Sequence, residues 1–149
     1  MKTTVKEVED MIDKYVVEVG LTKDQVYNAE RKAWYWTRGS ASIEVFITEI
    51  KFDDGFARYY IRVFSPILKV PADNQLACFR RLLELNDQSL GVKLTVLPNS
   101  DQVYATFERD IQGIDYEEVR TIIYDAEWWA DHLDDQLAAE FATGRPPKA

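Results

Sequence analysis

His132 is the only histidine of the chain, and it stands among Asp131, Asp134 and Asp135, with Glu127 one helical turn before Asp131. Carboxylates and an imidazole at helical spacing make a donor set for a divalent metal. The set stops there, because HExxH, a second histidine and an EF-hand loop are all missing. Charged residues on an amphipathic helix ordinarily face water, so a solvated acidic face is the expectation for this cluster. Cys78 is the lone cysteine and would need a neighbouring base and a polarised setting to act as a nucleophile. It falls within a broad apolar helical arc, where cysteine serves as a small packing residue. Glu44, Glu49 and Glu108 could pair for acid–base chemistry, yet strand alternation sends Glu44 and Glu108 to a polar sheet face. The six glycines stand singly at turns, so no glycine-rich phosphate loop exists. The expectation is a protein without catalytic residues, metal or cofactor.

The elements that carry these residues can be read from periodicity. Residues 5 to 19 form a helix: Thr4 and Glu7 make a capping box, Gly20 stops it, and Val5, Val8, Ile12, Tyr15, Val16 and Val19 share a face. Residues 21 to 31 fit a short helical turn or an irregular link. Three antiparallel strands follow, over 33–38, 42–52 and 56–64, separated by turns of hairpin length at Gly39-Ser40 and Asp53-Asp54-Gly55. A bend at Ser65-Pro66 ends the third. A second helix runs from about Asp73 to Asn86, with Leu76, Phe79, Leu82 and Leu83 as a stripe that Cys78 and Leu85 widen to half the circumference. That is more than covering one sheet requires. Two further strands lie around Val92–Val96 and over 102–108. The last helix opens at the Asp115/Glu118 capping pair and turns Val119, Ile122, Ile123, Ala126, Ala130, Leu133, Leu137 and Phe141 inward. The order α-β-β-β-α-β-β-α predicts a two-layer α+β domain with a five-stranded antiparallel sheet and three helices over 1–142. Residues 143–149 form a frayed tail.

The chain has 149 residues, 46% of them apolar and 13% aromatic, enough for a sizeable core. Its net charge of −8 resides in one place. Nine acids and one base, Arg120, lie between Asp115 and Glu140, and the remainder cancels. Without a basic footprint, nucleic acid is a poor partner. With neither a secretory signal nor a membrane-length apolar run, the expected location is the cytoplasm, away from the membrane.

Two surfaces stand out as places for a partner. The polar sheet face collects Phe46, Arg58, Tyr60, Arg62, Lys93 and Tyr104, a mixture of types favoured at protein interfaces and equally suited to cross-strand pairing. The acidic helix sets Tyr124 and Trp128 opposite its core stripe, unless residues 21–31 fold over them.

The run Val63-Phe64-Ser65-Pro66, then Val70-Pro71, then Leu82-Leu83-Glu84-Leu85-Asn86, followed by the distal strand pair and helix, resembles the YbjN-domain family of bacterial proteins. That family carries the label of sensory-transduction regulator and is similar in fold to class I type III secretion chaperones. The resemblance spans about residues 30–141. It implies a homodimer built through the middle helix and its neighbouring strand, which places Leu76, Cys78, Phe79, Leu82 and Leu85 at a dimer interface. It also implies that extended protein segments bind along the sheet and helix surfaces, toward Phe46, Arg58, Tyr60, Arg62, Tyr104, Tyr124 and Trp128. The expected function is a non-enzymatic chaperone-like or adaptor module. The alternative is a regulatory domain that binds a small molecule in bacterial signalling.

Overall fold

Thr4 opens the first helix as expected. Its hydroxyl accepts from the Glu7 amide at 3.2 Å while its own amide donates to Glu7 Oε2 at 2.7 Å. This computed structural model describes residues 2–141, so the 143–149 tail lies outside the described residues. Helix α1 (Val5–Glu18) buries Val8, Ile12, Tyr15 and Val16 and stops where Gly20 takes φ +86°. The undecided segment resolves into a single turn, α2 (Lys23–Val26), and a two-residue strand, β1 (Tyr27–Asn28). Strand β1 pairs with β2 (Ala33–Arg38), and Tyr27 packs on the buried Trp34 ring at 4.8 Å.

The remaining elements are β3 (Ala41–Lys51), β4 (Ala57–Lys69), α3 (Gln75–Gln88), β5 (Lys93–Val96), β6 (Gln102–Asp110) and α4 (Tyr116–Phe141). The five expected strands are β2 to β6, and β1 makes a sixth at the edge. All pairs are antiparallel, in the order β1-β2-β3-β4-β6-β5. Connection lengths explain this order. Short hairpins set β2, β3 and β4 side by side, whereas the α3–β5 excursion lets β6 return against β4 and leaves β5 outside.

The expected bend at Ser65-Pro66 is not one. Strand β4 continues through Pro66, which is registered with Tyr104, and a bulge separates Pro66 from Leu68. Pairing with β3 ends at Glu44↔Phe64, so β4 is unpaired on that side when the proline arrives. Proline is tolerated at such an edge and at bulges.

Ile43, Val45, Ile61, Val63, Val103, Ala105 and Phe107 carry the inner sheet face into one core cluster shared with α1, α3 and α4. Helix α4 is roughly 39 Å long at 1.5 Å per residue and lies across β3, β4 and β6, with α1 against it. Its Val119, Ile123, Ala126, Ala130, Leu133 and Leu137 are buried as expected, while Ile122 and Phe141 sit at the margin. Among the described residues no helix is long and apolar enough to cross a membrane.

Candidate functional site

Helix α3 divides its apolar arc between two environments. Cys78, Leu82 and Leu85, spaced i, i+4, i+7, are buried against the chain's own core. They are therefore not available at the interface expected of them. Cys78 packs as a core residue, and burial pushes its thiol above its ordinary value. Leu76 and Leu83 point outward, 84% and 69% exposed, and Phe79 lies between the two sides at 40%. An open groove of about 580 Å³ runs along this outer side between Leu76, Arg80, Leu83, Glu84 and Asp87. Periodicity gave the width of the arc but not which half the sheet covers.

Asn86 fixes the rotation of α3. Its Oδ1 accepts from the Leu94 amide at 2.7 Å, and its Nδ2 donates to the Leu94 carbonyl at 3.3 Å, so the side chain pairs with β5 as a neighbouring strand would. Arg81 ties the same helix to α4 by two bonds to Glu140, at 3.0 and 3.2 Å. Replacing Asn86 with Ala is expected to lower stability by about 1–2 kcal/mol, because two backbone groups lose their partner. Urea unfolding measures it, and an unchanged midpoint would count against the clamp.

The outer sheet face assembles as alternation requires. Register aligns Tyr35, Glu44, Phe64, Thr106 and Lys93 in one row across five strands. Phe64 meets Phe46 edge-on at 5.3 Å and Tyr104 at 5.7 Å, and the Arg62 guanidinium lies 4.5 Å from the Phe64 ring. Arg62 also bonds Glu108 at 2.9 Å, and Lys93 bonds the other Glu108 oxygen. Burial alone would raise Glu108, but the Lys93 hydrogen bond and charge, joined by Arg62, hold it below its ordinary value. Phe46, Arg62 and Tyr104 thus share one patch centred on Phe64, which sequence reasoning had not singled out. Arg58 lies farther along the β3–β4 hairpin, stacked over Phe52 at 5.2 Å, and Tyr60 is registered with Thr48 and Asp110.

The acidic helix departs most from expectation. Glu127 and Asp134 do not face water; they are 2% and 1% exposed. Strand β2 and α1 bring donors to the first of them. Trp36 Nε1 donates to Glu127 Oε1 at 2.9 Å and the Tyr15 hydroxyl donates to the same atom at 3.1 Å. Burial raises Glu127 above the usual glutamate range, although these two bonds and the Arg38 charge pull the other way. Burial likewise drives the Tyr15 phenol up, helped by the Glu127 charge. The signal lay in the donors. A tyrosine on the apolar face of α1 and a tryptophan in a core strand each carry a polar tip that needs a buried acceptor.

The β2–β3 turn supplies the second carboxylate. Ser40 Oγ lies 2.8 Å from Asp131 Oδ1 and 2.7 Å from Asp134 Oδ2, and the Ser40 amide also donates to Asp131 at 2.9 Å. One hydroxyl has one proton, so the second of these contacts needs a proton from a carboxyl. Burial raises Asp134 above its ordinary value and so favours the protonated form, while the Ser40 hydrogen bond pulls the other way. Asp131 comes so close to Gly39 (φ +58°) that a Cβ there would sit 2.5 Å from its Oδ1. Gly39→Ala is expected to cost about 1–2 kcal/mol, through both the left-handed backbone and the displaced carboxylate. Thermal unfolding checks this, and a variant as stable as the parent would refute the close packing.

Outside this buried pair, Tyr124 and Trp128 remain 52% and 43% exposed, since residues 21–31 pack at the β2 edge instead. His132 stacks on Trp128 at 3.9 Å, and its Nδ1 donates to the Trp128 carbonyl at 2.7 Å. Among the described residues, no three His, Cys, Asp or Glu side chains are grouped to hold a metal ion. A cleft of about 390 Å³ separates α1 from α4 and is lined in part by Arg38, Arg120, Tyr15 and Tyr124.

YbjN of E. coli, for which a role as a transcription regulator has been suggested, superposes with a TM-score of 0.59 at 14% identity, over 93% of this chain and 96% of YbjN. The chain has the YbjN fold. ExsC, a type III secretion chaperone seen in complex with ExsE, aligns with a TM-score of 0.58 at 13% identity, over 89% of this chain and 97% of its own. No family model matches the sequence. No curated protein matches it either. The YbjN-like and chaperone-like architecture therefore rests on shape, and the α+β order read from the sequence is the one this chain adopts, with α2 and β1 added.

Proposed function

We propose that this chain is a non-catalytic binding module that pairs with a second copy of itself through the outer side of α3 and holds a segment of another protein on its sheet and α4 surfaces. The observation that carries the reading is the outward stripe of Leu76 and Leu83, with Phe79 beside it, on a helix whose opposite side already fills the core. An amphipathic helix needs one apolar side, and a second one needs a second surface to cover it. Self-pairing is the economical cover, because a twofold axis through the groove sets each leucine stripe against its copy. ExsC in complex with ExsE supports the second half of the reading, since a protein of this shape there engages a protein. The mass of the Leu83→Asp variant in light scattering tests the pairing. Peptide-display selection tests the segment binding. Recovered sequences should lose affinity for a Phe46→Ala or Trp128→Ala chain, and indifference to both substitutions would overturn it.

A regulatory domain for a small molecule is the second reading. The α1–α4 cleft favours it, being of ligand size and lined by two arginines held only by contacts of 3.5 Å or more.

A further inference from the structure

We infer that the pocket between the β2–β3 hairpin and α4 receives the ammonium or guanidinium end of a lysine or arginine side chain from a partner polypeptide. This rests on the reading of the chain as a protein-binding module and names what one of its surfaces recognises. Glu127 forms the floor, with its side chain only 3% exposed. Both hydrogen bonds from Trp36 and Tyr15 go to Oε1, and Oε2 accepts none. Arg38 Nε stands 3.5 Å from Oε2 on a side chain that is half exposed, an ion pair without a hydrogen bond. A buried carboxylate oxygen without a donor is costly, and the cost is relieved by a cation that can reach it.

The walls suit that cation. The exposed rings of Tyr124 and Trp128 flank the opening, and aromatic faces attract ammonium and guanidinium groups. The His132 stack and its bond to the Trp128 carbonyl hold the indole in place. Asp131 adds a second carboxylate at the rim, so the acids lining the pocket outnumber Arg38. An incoming cation competes with Arg38 for Oε2, and one loose surface contact is cheaply given up. The acids gathered between Asp115 and Glu140, which hold the net −8 of the chain, draw basic segments toward this helix.

Size selects the source of the cation. The pocket measures about 90 Å³, room for about three waters at roughly 30 Å³ each. It admits the tip of a side chain and excludes a whole metabolite, so the rest of the ligand must run across the surface outside. A polypeptide supplies that.

The test is a titration of the isotopically labelled full chain, followed by amide, indole and imidazole resonances. The probes are acetyl-Gly-Lys-Gly-amide, its arginine and glutamine counterparts, and spermidine. The lysine and arginine peptides are expected to shift the Trp128 indole and His132 imidazole signals, with the glutamine peptide silent. Trp128→Ala, followed at His132, should weaken the response about tenfold. Arg38→Ala should strengthen it, because the competitor is gone, and a merely structural role for Arg38 predicts no such gain. Equal shifts from the glutamine peptide, weaker binding in Arg38→Ala, or spermidine saturating below the peptides would each overturn the inference. Repeating the titration on Leu83→Asp separates the two readings. An unchanged lysine response there shows the pocket working whether or not the chain pairs, and a dimeric wild type without the response refutes the pocket alone.

Discussion

Glu127→Ala is expected to destabilise the chain by about 3 kcal/mol, or roughly 6–12 °C in Tm for a domain of this size. The substitution orphans two buried donors at once, Trp36 Nε1 and the Tyr15 hydroxyl, each worth about 1–3 kcal/mol when left without an acceptor. It also opens space where α1, β2 and α4 meet. Relief of a buried charge offsets part of the loss, which keeps the figure below the sum. Urea unfolding measures it, and a loss under about 1 kcal/mol would mean the carboxylate does not organise this junction.

Glu127→Gln keeps an acceptor for both donors and removes the charge, so it isolates the electrostatic part. The folded-state pKa of Glu127 is raised, as is that of Asp134. Below the unfolded carboxylate value of about 4 both states are protonated and no penalty exists. As pH rises through the folded values, ionising the buried groups costs stability, and the loss then levels off. The gap between parent and Glu127→Gln should therefore move in favour of the variant as pH rises from about 4. A gap independent of pH would show that Glu127 is not held up by burial. Glu108 works in the opposite sense. Its lowered pKa stabilises the fold above the ordinary glutamate value, and that contribution is lost as pH falls through the folded one.

The second large effect separates two leucines of α3 that stand two residues apart, Leu83 on its outer side and Leu85 in the core. Leu83→Asp should leave the monomer within about 0.5 kcal/mol of its original stability, since that side chain is already mostly in water. It should weaken self-pairing at least about 100-fold, because a burial of about 1.5–3 kcal/mol is lost and a charge is placed in both copies of a twofold interface. Light scattering should show the mass halving. Leu85→Asp behaves differently. Leu85 is 5% exposed inside the core, so an unpaired carboxylate there should cost more than about 4 kcal/mol and unfold the chain before any question of pairing arises. A folded, monomeric Leu85→Asp chain would place the interface on the wrong side of α3. A wild type that is monomeric at high concentration would dispose of the pairing altogether.

How much of this was readable beforehand depends on the range of the interactions. The capping box at Thr4 and Glu7, the alternation that puts Phe46, Arg62 and Glu108 on one face, and the inner stripe of α4 are set by residues within a few positions of one another. Their periods survive in the sequence. The same periods gave the α+β order, while the YbjN-like architecture came from the resemblance carried by Val63-Phe64-Ser65-Pro66, Val70-Pro71 and Leu82-Leu83-Glu84-Leu85-Asn86. Pro66 misled because its tolerance depends on where β3 stops pairing, which is a property of a different strand.

The chemistry-bearing cluster of His132 and its neighbouring carboxylates shows the limit most plainly. The sequence determined that these groups lie on one helix at helical spacing, and that nothing in the chain completes a catalytic motif with them. Only the tertiary structure decided that Glu127 and Asp134 are buried. The donors that permit it, Tyr15, Trp36 and Ser40, come from 91 to 112 positions away in the chain. In the same way the width of the α3 arc was fixed locally, while packing against β5 chose Cys78, Leu82 and Leu85 for the core and left Leu76 and Leu83 outside. Periodicity records which side chains share a face of an element; what that face meets is settled by contacts between elements, which leave no period to read.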